Sequence, residues 1–486
     1  MPSNERVVVV GAGPAGLAAA WELTKRGVSP LIVDRNEHVG GLARTIWRNG
    51  FGFDLGPHRF FTKNNEVMSL WREFLGEDLL EVERLTRIYY RNRFFSYPLK
   101  PVDALKKLGP LTTTRALASY GAQRLKRSVD DPANFEEWIT RQFGRVLYET
   151  FFKSYTEKVW GIDCSDIGKE WAGQRIKGLN LSSAIKNAFS FGKGDDVRSL
   201  VERFHYPRRG AGQLYERMAE RLEAEGAEFA LGETVTRVEA EGDRIRTLVC
   251  EPSGRRIDVK HAFVSAPITA FVEALRPESP VDILAAAKTL YYRSHITVNL
   301  ALDQKSPFPD NWIYVHAPEL RMARIANYSS FSRDMVPRPG TAALSVEYFC
   351  FESDYLWRMD EEDLIKLAVQ EMRSAGLLAG ARVLDGFVVR EADSYPAYYL
   401  GHRDHFNILF DHLSRFVNLD LIGRAGMYRY NNQDHATLTG LYSVRNHFGE
   451  TNVDLFDINP EDTYIEEMKP SEMVSRSHGG PTGNGD

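Results

Sequence analysis

An α/β protein is predicted, built on a dinucleotide-binding domain that the chain leaves and re-enters around one helical and one antiparallel β insertion. Three observations carry that expectation. A strand, glycine loop, helix, strand and acid follow one another from Arg6 to Asp34. A long helix-rich region comes next, and β-branched and aromatic segments follow it. A second strand-to-helix step appears at Asn418–Val444, rich in polar groups that a core does not need.

With 486 residues the chain is long enough for two or three domains. A formal charge of -5 offers no basic field, so nucleic acid is not expected as a partner. Three scattered cysteines, Cys164, Cys250 and Cys350, are too few for a disulfide framework, so reduced cytoplasmic thiols are expected. No signal segment precedes the first strand, and no apolar run suits a transmembrane helix. The 12 histidines show no metal-ligand spacing, so no metal is expected.

The run Arg6-Val-Val-Val-Val10 reads as a buried parallel strand. Gly11-Ala-Gly-Pro-Ala-Gly16 then opens a helix: Gly11 for the tight turn, Gly13 for approach to a pyrophosphate, Gly16 for close helix–strand packing. The strand Pro30–Val33 ends on Asp34, placed to accept from a ribose hydroxyl. Val39-Gly-Gly-Leu-Ala-Arg-Thr45 adds Gly41 and Arg44, and Phe51–Phe61 carries Gly56 and His58 between the cofactor motif and an aromatic pair.

Residues 62–200 read as mostly helical after an aromatic ribbon, Arg87–Pro98, whose Arg91-Asn92 pair suits a hairpin turn. Leu111–Arg127 is a basic helix. Tyr155, Trp160, Trp171 and Arg175 follow, either a clamp of rings and guanidinium for a nucleotide or ordinary helix packing. Strands over Glu228–Val238, Ile245–Val249 and Ala262–Pro267 form an inserted sheet that returns the chain to the first domain. Further strands run from Ile296 to Phe349, with Arg321 and Arg324 in a polar patch between them, and a helix spans Glu361–Ala375. Tyr395 precedes the late stretch, Gly423-Arg-Ala-Gly-Met-Tyr-Arg-Tyr-Asn-Asn-Gln-Asp-His435. There a helix N-terminus near Asp434 is aimed at a cofactor.

The glycine loop with Val39–Thr45 resembles the FAD-binding pattern of amine oxidases, protoporphyrinogen oxidases and their relatives. That resemblance implies a two-dinucleotide-binding-type FAD Rossmann domain over residues 1–75, 205–290 and 385–465. It also implies a mostly helical substrate domain over 76–204 and a β-sheet substrate domain over 291–384, while the Gly-, Ser- and Pro-rich composition of 466–486 predicts a disordered tail. It assigns Gly11, Gly13, Gly16, Asp34, Gly41, Arg44, Gly56, Val235, Gly423, Arg424, Asn432, Gln433 and Asp434 to the cofactor, with His58 beside the flavin.

Closer still, Tyr155–Gly161, Trp171–Arg175, Phe204–Leu214, Ala323–Ser329 and Gly423–His435 occur in the order seen in UDP-galactopyranose mutases, which these segments resemble. The resemblance implies pyranose–furanose interconversion of a nucleotide-diphosphate sugar. It proceeds through an adduct of the sugar on N5 of reduced FAD, and NAD(P)H is open as reductant. It assigns Arg175 and Arg324 to the diphosphate, with Arg321 as competitor for the second place. Tyr155, Trp160, Tyr314, Tyr395, Arg429 and Tyr430 go to the substrate, and a homo-oligomer is allowed. The nucleotide stays open among UDP, GDP and dTDP. Two alternatives stand beside this expectation: an FAD-dependent oxidase or desaturase of the amine oxidase type, and a flavin-fold protein that only binds a partner.

Overall fold

Alternate residues of the first strand enter two different cores. In β1 (Arg6–Val10), Val9 packs with Leu17, Leu23 and Trp71, while Val8 and Val10 pack with Leu31, Val33 and Ala262 on the other face. A strand covered on both faces needs apolar side chains at every position, which the unbroken valine run supplies. The computed structural model describes residues 5–99, 101–125, 131–169 and 203–459; Trp171 and Arg175 lie outside these.

β1 lies in an eight-stranded sheet. On one side it pairs in parallel with β2 (Leu31–Asp34), which pairs with Glu228–Leu231. On the other it pairs in parallel with Arg256–Val264, and Leu419–Leu421 lies beyond. The strand Arg256–Val264 also pairs antiparallel with Arg244–Glu251, which continues to Thr234–Glu241. The segments expected as a separate inserted sheet are therefore continuous with the central one. One nine-residue strand serves both, because its length lets each half meet a different neighbour.

The second sheet has seven strands, in the order Val383–Pro396, Tyr292–Leu302, Ala342–Cys350, Arg324–Asn327, Trp312–Val315, Thr86–Tyr90 and Arg93–Ser96. It draws strands from all three segments expected to be separate, since Thr86–Ser96 and Val383–Pro396 both join it. Arg91 and Asn92 take φ of 48° and 57°, as a two-residue hairpin turn with the twist of its strands requires. Pro110–Leu125 forms the expected basic helix. Among the described residues no helix is long and apolar enough to cross a membrane.

The first and last α-helices of the described residues, α1 (Pro14–Thr24) and Gln433–His447, pack on each other on one face of the central sheet. Their closest approach is at Gly440, where a Cβ would lie 2.1 Å from the Ala15 carbonyl oxygen and 2.9 Å from the Ala19 nitrogen. Gly440→Val is expected to cost about 3 kcal/mol through overpacking, read as a lower Tm; an unchanged Tm would contradict the close approach.

Candidate cofactor and substrate site

A cavity of about 400 Å³ opens where the C-terminal ends of β1, β2 and Arg256–Val264 face the second sheet. Its wall includes Gly11, Gly13, Asp34, Gly41, Gly56, His58, Val235, Tyr314, Arg324, Tyr395, Gly423, Arg424, Tyr430, Asn432, Gln433 and Asp434. Most of the residues singled out in the sequence therefore meet in one place, although the chain separates them by up to some four hundred positions.

The glycine loop is held by its own close contacts. Gly11 has φ +105°, which side-chain-bearing residues rarely adopt, and a Cβ on Gly16 would lie 1.8 Å from the Gly11 carbonyl oxygen. Gly16 thus packs the loop from behind and is not in the wall. Asp34 accepts from Ala12 N at 2.7 Å and from Asn36 N at 2.7 Å, so it braces the loop as well as lining the cavity. Glu233 N donates to the Asp34 carbonyl at 2.9 Å and brings Val235 alongside. Arg44 is elsewhere: it donates to the Gly41 carbonyl at 2.9 Å and pairs with Glu391, and does not reach the wall. Glu391, itself a largely buried residue of the wall, holds the Arg44 guanidinium one layer back.

Two helix N-termini open on the cavity, and neither has a side-chain cap. α1 starts behind Gly13, and Gln433–His447 starts behind Asn432. Their orphan N–H groups and dipoles favour anionic or acceptor atoms. Three buried polar atoms of wall residues, Asn431 Nδ2, His58 Nδ1 and Trp312 Nε1, have no hydrogen-bond partner among the described residues. Buried orphans of this kind fit a bound polar group.

Arg424 stands between the helix N-terminus and two rings. Its Nε and Nη2 donate to the Asn431 carbonyl at 3.0 and 2.7 Å, and its Nη1 to the Ser394 carbonyl at 3.1 Å. It lies 5.2 Å from the Tyr395 ring and 4.8 Å from the Tyr430 ring, which stack on each other at 5.6 Å. These acceptors are neutral, so Arg424 carries its positive charge into the wall. Arg324 differs: Glu347, directly across the strand pair and 0% exposed, takes its Nε at 2.8 Å and its Nη2.

Gly56, His58 and Arg324 converge, since the Cβ position of Gly56 is 3.5 Å from Arg324 Nη2 and 3.8 Å from His58 Nε2. Burial, reinforced by Arg424, Arg324 and His295, pushes the His58 imidazole down to about 3. It is uncharged at neutral pH and serves as a neutral hydrogen-bonding group.

Tyr314, Trp312, Tyr97 and Arg59 line another part of the wall. The Arg59 and Arg84 guanidinium carbons lie 5.6 and 5.5 Å from the Trp312 ring. Tyr155 sits one ring behind, edge-on to Tyr314 at 5.7 Å and stacked on His316 at 4.4 Å. Trp160 is buried and stacked 6.4 Å from Tyr398. Arg429 donates to the Asn459 carbonyl at 3.0 and 2.5 Å. None of these three lines the wall, because each is taken up by a packing partner. Arg321 is exposed, with its backbone N on Glu371 at 2.5 Å.

Sequence reasoning missed Glu347, although an acid inside the apolar strand Ala342–Cys350 is a signal. It also missed Lys158, which ties the helix of Tyr155 and Trp160 to the sheet. Its Nζ donates to the carbonyls of Val315, Ala317 and Met322 at 3.0 Å each. A single lysine in a helix carries no signal for that.

Asp54 lies behind the Gly56 loop, fully buried, accepting from Thr45 Oγ1 and Tyr206 OH at 2.6 Å each and from Ala211 N at 3.2 Å. Burial outweighs these donors and pushes its carboxyl from 3.8 up to about 7. Folding therefore favours the protonated form. That contribution is complete below the unfolded value and is lost as pH rises through about 7. Asp54→Asn is expected to flatten the fall in Tm between those limits; an unaltered pH profile of Tm would exclude Asp54 as its source.

Comparison with known proteins came to the same fold. The sequence model of the flavin containing amine oxidoreductase family matches residues 14–403. A probable UDP-galactopyranose mutase of Klebsiella pneumoniae is 30% identical over 180 residues, covering 34% of this chain and 43% of its own. A dTDP-fucopyranose mutase of Escherichia coli is 27% identical over 243 residues, covering 49% and 59%. The chain thus spans less than two thirds of either relative's length. Among solved structures, reduced UDP-galactopyranose mutase superposes with a TM-score of 0.82 at 22% identity, over 95% of this chain and 99% of the other.

Proposed function

Since the chain belongs to the flavin containing amine oxidoreductase family, we propose that it holds FAD in this cavity and interconverts the pyranose and furanose forms of a nucleotide-diphosphate sugar. The observation that carries the proposal is Arg424. A guanidinium with no carboxylate partner among the described residues, set on two stacked tyrosines beside an uncapped helix N-terminus, suits an anionic ligand with hydroxyl groups. A site for oxidising an apolar donor has no need of it. The curated mutases named above act on UDP- and dTDP-linked sugars by their names, and the fold is shared along nearly the whole chain.

In this proposal the glycine loop and α1 N-terminus hold the cofactor's diphosphate, Asp34 and Val235 its adenosine half, and Asn432–Asp434 the flavin end. When bound and reduced, the flavin supplies the nucleophile for the anomeric carbon. The remaining tasks fall to the chain. Arg424 stabilises negative charge near the reacting atoms. Tyr395 and Tyr430 present hydroxyls and ring faces to the sugar. His58, kept neutral by burial, hydrogen-bonds without moving a net charge. Arg324, locked by Glu347, orients more than it neutralises, so the leaving diphosphate draws its charge compensation from Arg424 and, as the second arginine, Arg175. The three free, buried cysteines suit a cytoplasmic setting.

The test is a panel of UDP-, GDP- and dTDP-sugars incubated with dithionite-reduced and with oxidised protein. Ring interconversion by the reduced form alone is expected. Equal behaviour of the two forms, or anaerobic bleaching of the oxidised flavin by an amine or porphyrinogen donor, would overturn the proposal.

A further inference from the structure

Away from the cavity, three potential metal ligands converge from separate elements. His261 comes from Arg256–Val264, Asp420 from the adjoining strand Leu419–Leu421, and His447 from the last turn of Gln433–His447. One ligand atom from each lies within 4.8 Å of the others. His261 Nε2 and Asp420 Oδ2 are 2.7 Å apart, and the two imidazole centroids are 4.0 Å apart. We propose that His261, Asp420 and His447 form a binding site for one transition-metal dication of the zinc class, which clamps the end of the last helix to the edge of the central sheet.

The chemistry of the donors supports that class. Two imidazoles and one carboxylate suit zinc, nickel or copper, whereas calcium and magnesium favour oxygen alone. Lys260 stands near enough to oppose a cation, while Asp420 and the helix C-terminal carbonyls favour one. The buried side of the site is fixed, because His261 is 5% exposed; the exposed side, at His447, admits the ion and a completing water.

Ligands about 2.0–2.2 Å from a tetrahedral ion lie about 3.4 Å apart, so the 2.7 Å His261–Asp420 contact opens by about 0.7 Å. Binding of the ion through Nε2 requires the His261 tautomer that carries its proton on Nδ1. The site is remote from the chemistry. Four residue steps of extended chain, roughly 13 Å, lead from His261 to Ser265 at the cavity wall. His447 is at the far end of the helix whose first turn lines that wall. No spacing in the sequence signals the site, since its ligands lie on three distant segments.

The experiment is equilibrium dialysis of the full-length, flavin-loaded protein against Zn²⁺, with the wild type, His447→Ala and Asp420→Asn side by side, and Tm with and without Zn²⁺. The wild type is expected to take up one saturable equivalent with a micromolar or lower Kd and to melt higher with the ion. Both variants are expected to lose that equivalent and that rise. His447 is exposed, and asparagine at position 420 still accepts from His261, so the fold survives both changes; the flavin spectrum checks it. Absence of a saturable equivalent in the wild type, or its retention in both variants, would overturn the site.

Discussion

Arg324→Ala is expected to destabilise the protein by about 3–5 kcal/mol, because it leaves Glu347 wholly buried with no counter-charge. The two residues face each other across adjacent antiparallel strands, and the guanidinium engages the carboxylate through two nitrogens. Removing both charges removes the desolvation penalty along with the attraction. Arg324→Met combined with Glu347→Leu is therefore expected to melt near the wild type, since apolar replacement of a buried pair is often neutral. Activity separates the two roles of Arg324. If it also orients the substrate, the double variant stays folded and flavin-bound while kcat/KM falls by about 10²–10³. Recovery of both stability and kcat/KM in the double variant would reduce Arg324 to a scaffold residue.

Gly16→Ala is expected to yield protein that purifies without bound flavin. The added Cβ would lie 1.8 Å from the Gly11 carbonyl oxygen and 2.9 Å from its carbon, which are backbone atoms that no side-chain rotation can clear. The loop must move off its cradle, and Ala12 N then loses the 2.7 Å hydrogen bond to Asp34. A fall of about tenfold or more in flavin retained per protein follows from a loss of about 1.4 kcal/mol or more in affinity. Full yellow colour after gel filtration would show that the loop tolerates the methyl group.

The strand, glycine loop, helix and strand of Arg6–Asp34, the Arg91-Asn92 turn and the helix Gln433–His447 were legible because their signals are local. A valine run, a glycine spacing and an Arg-Asn turn each dictate geometry within a few positions, and the structure has each of them. Sheet membership was less legible. Arg87–Pro98 is read as a ribbon with a hairpin turn, whereas Val383–Pro396 is not read as a strand, and which sheet each joins depends on partners up to about 230 positions away. The site shows the same division. Arg424 was grouped with the backbone return of the flavin domain, and Arg429 was singled out for the substrate. The structure puts Arg424 on the cavity and turns Arg429 to Asn459, because five positions on a tight turn reverse a side chain's direction. Glu347 and Lys158 act through strand register and helix docking, which motif spacing does not encode.

The pairing of the first and last helices has a consequence for how the protein is made. The cavity wall begins at Val10 and is completed only at Ala436, so neither end of the chain can form it alone. At translation rates of about 5–20 residues per second, the glycine loop leaves the ribosome on the order of tens of seconds before the helix that closes its cavity. Through that interval α1 presents an apolar flank, including Ala15 and Ala19, that the final helix will cover. Loading with cofactor is therefore a post-translational step, and a nascent chain stalled ahead of Gly423 is a substrate for chaperones, not a partial holoenzyme.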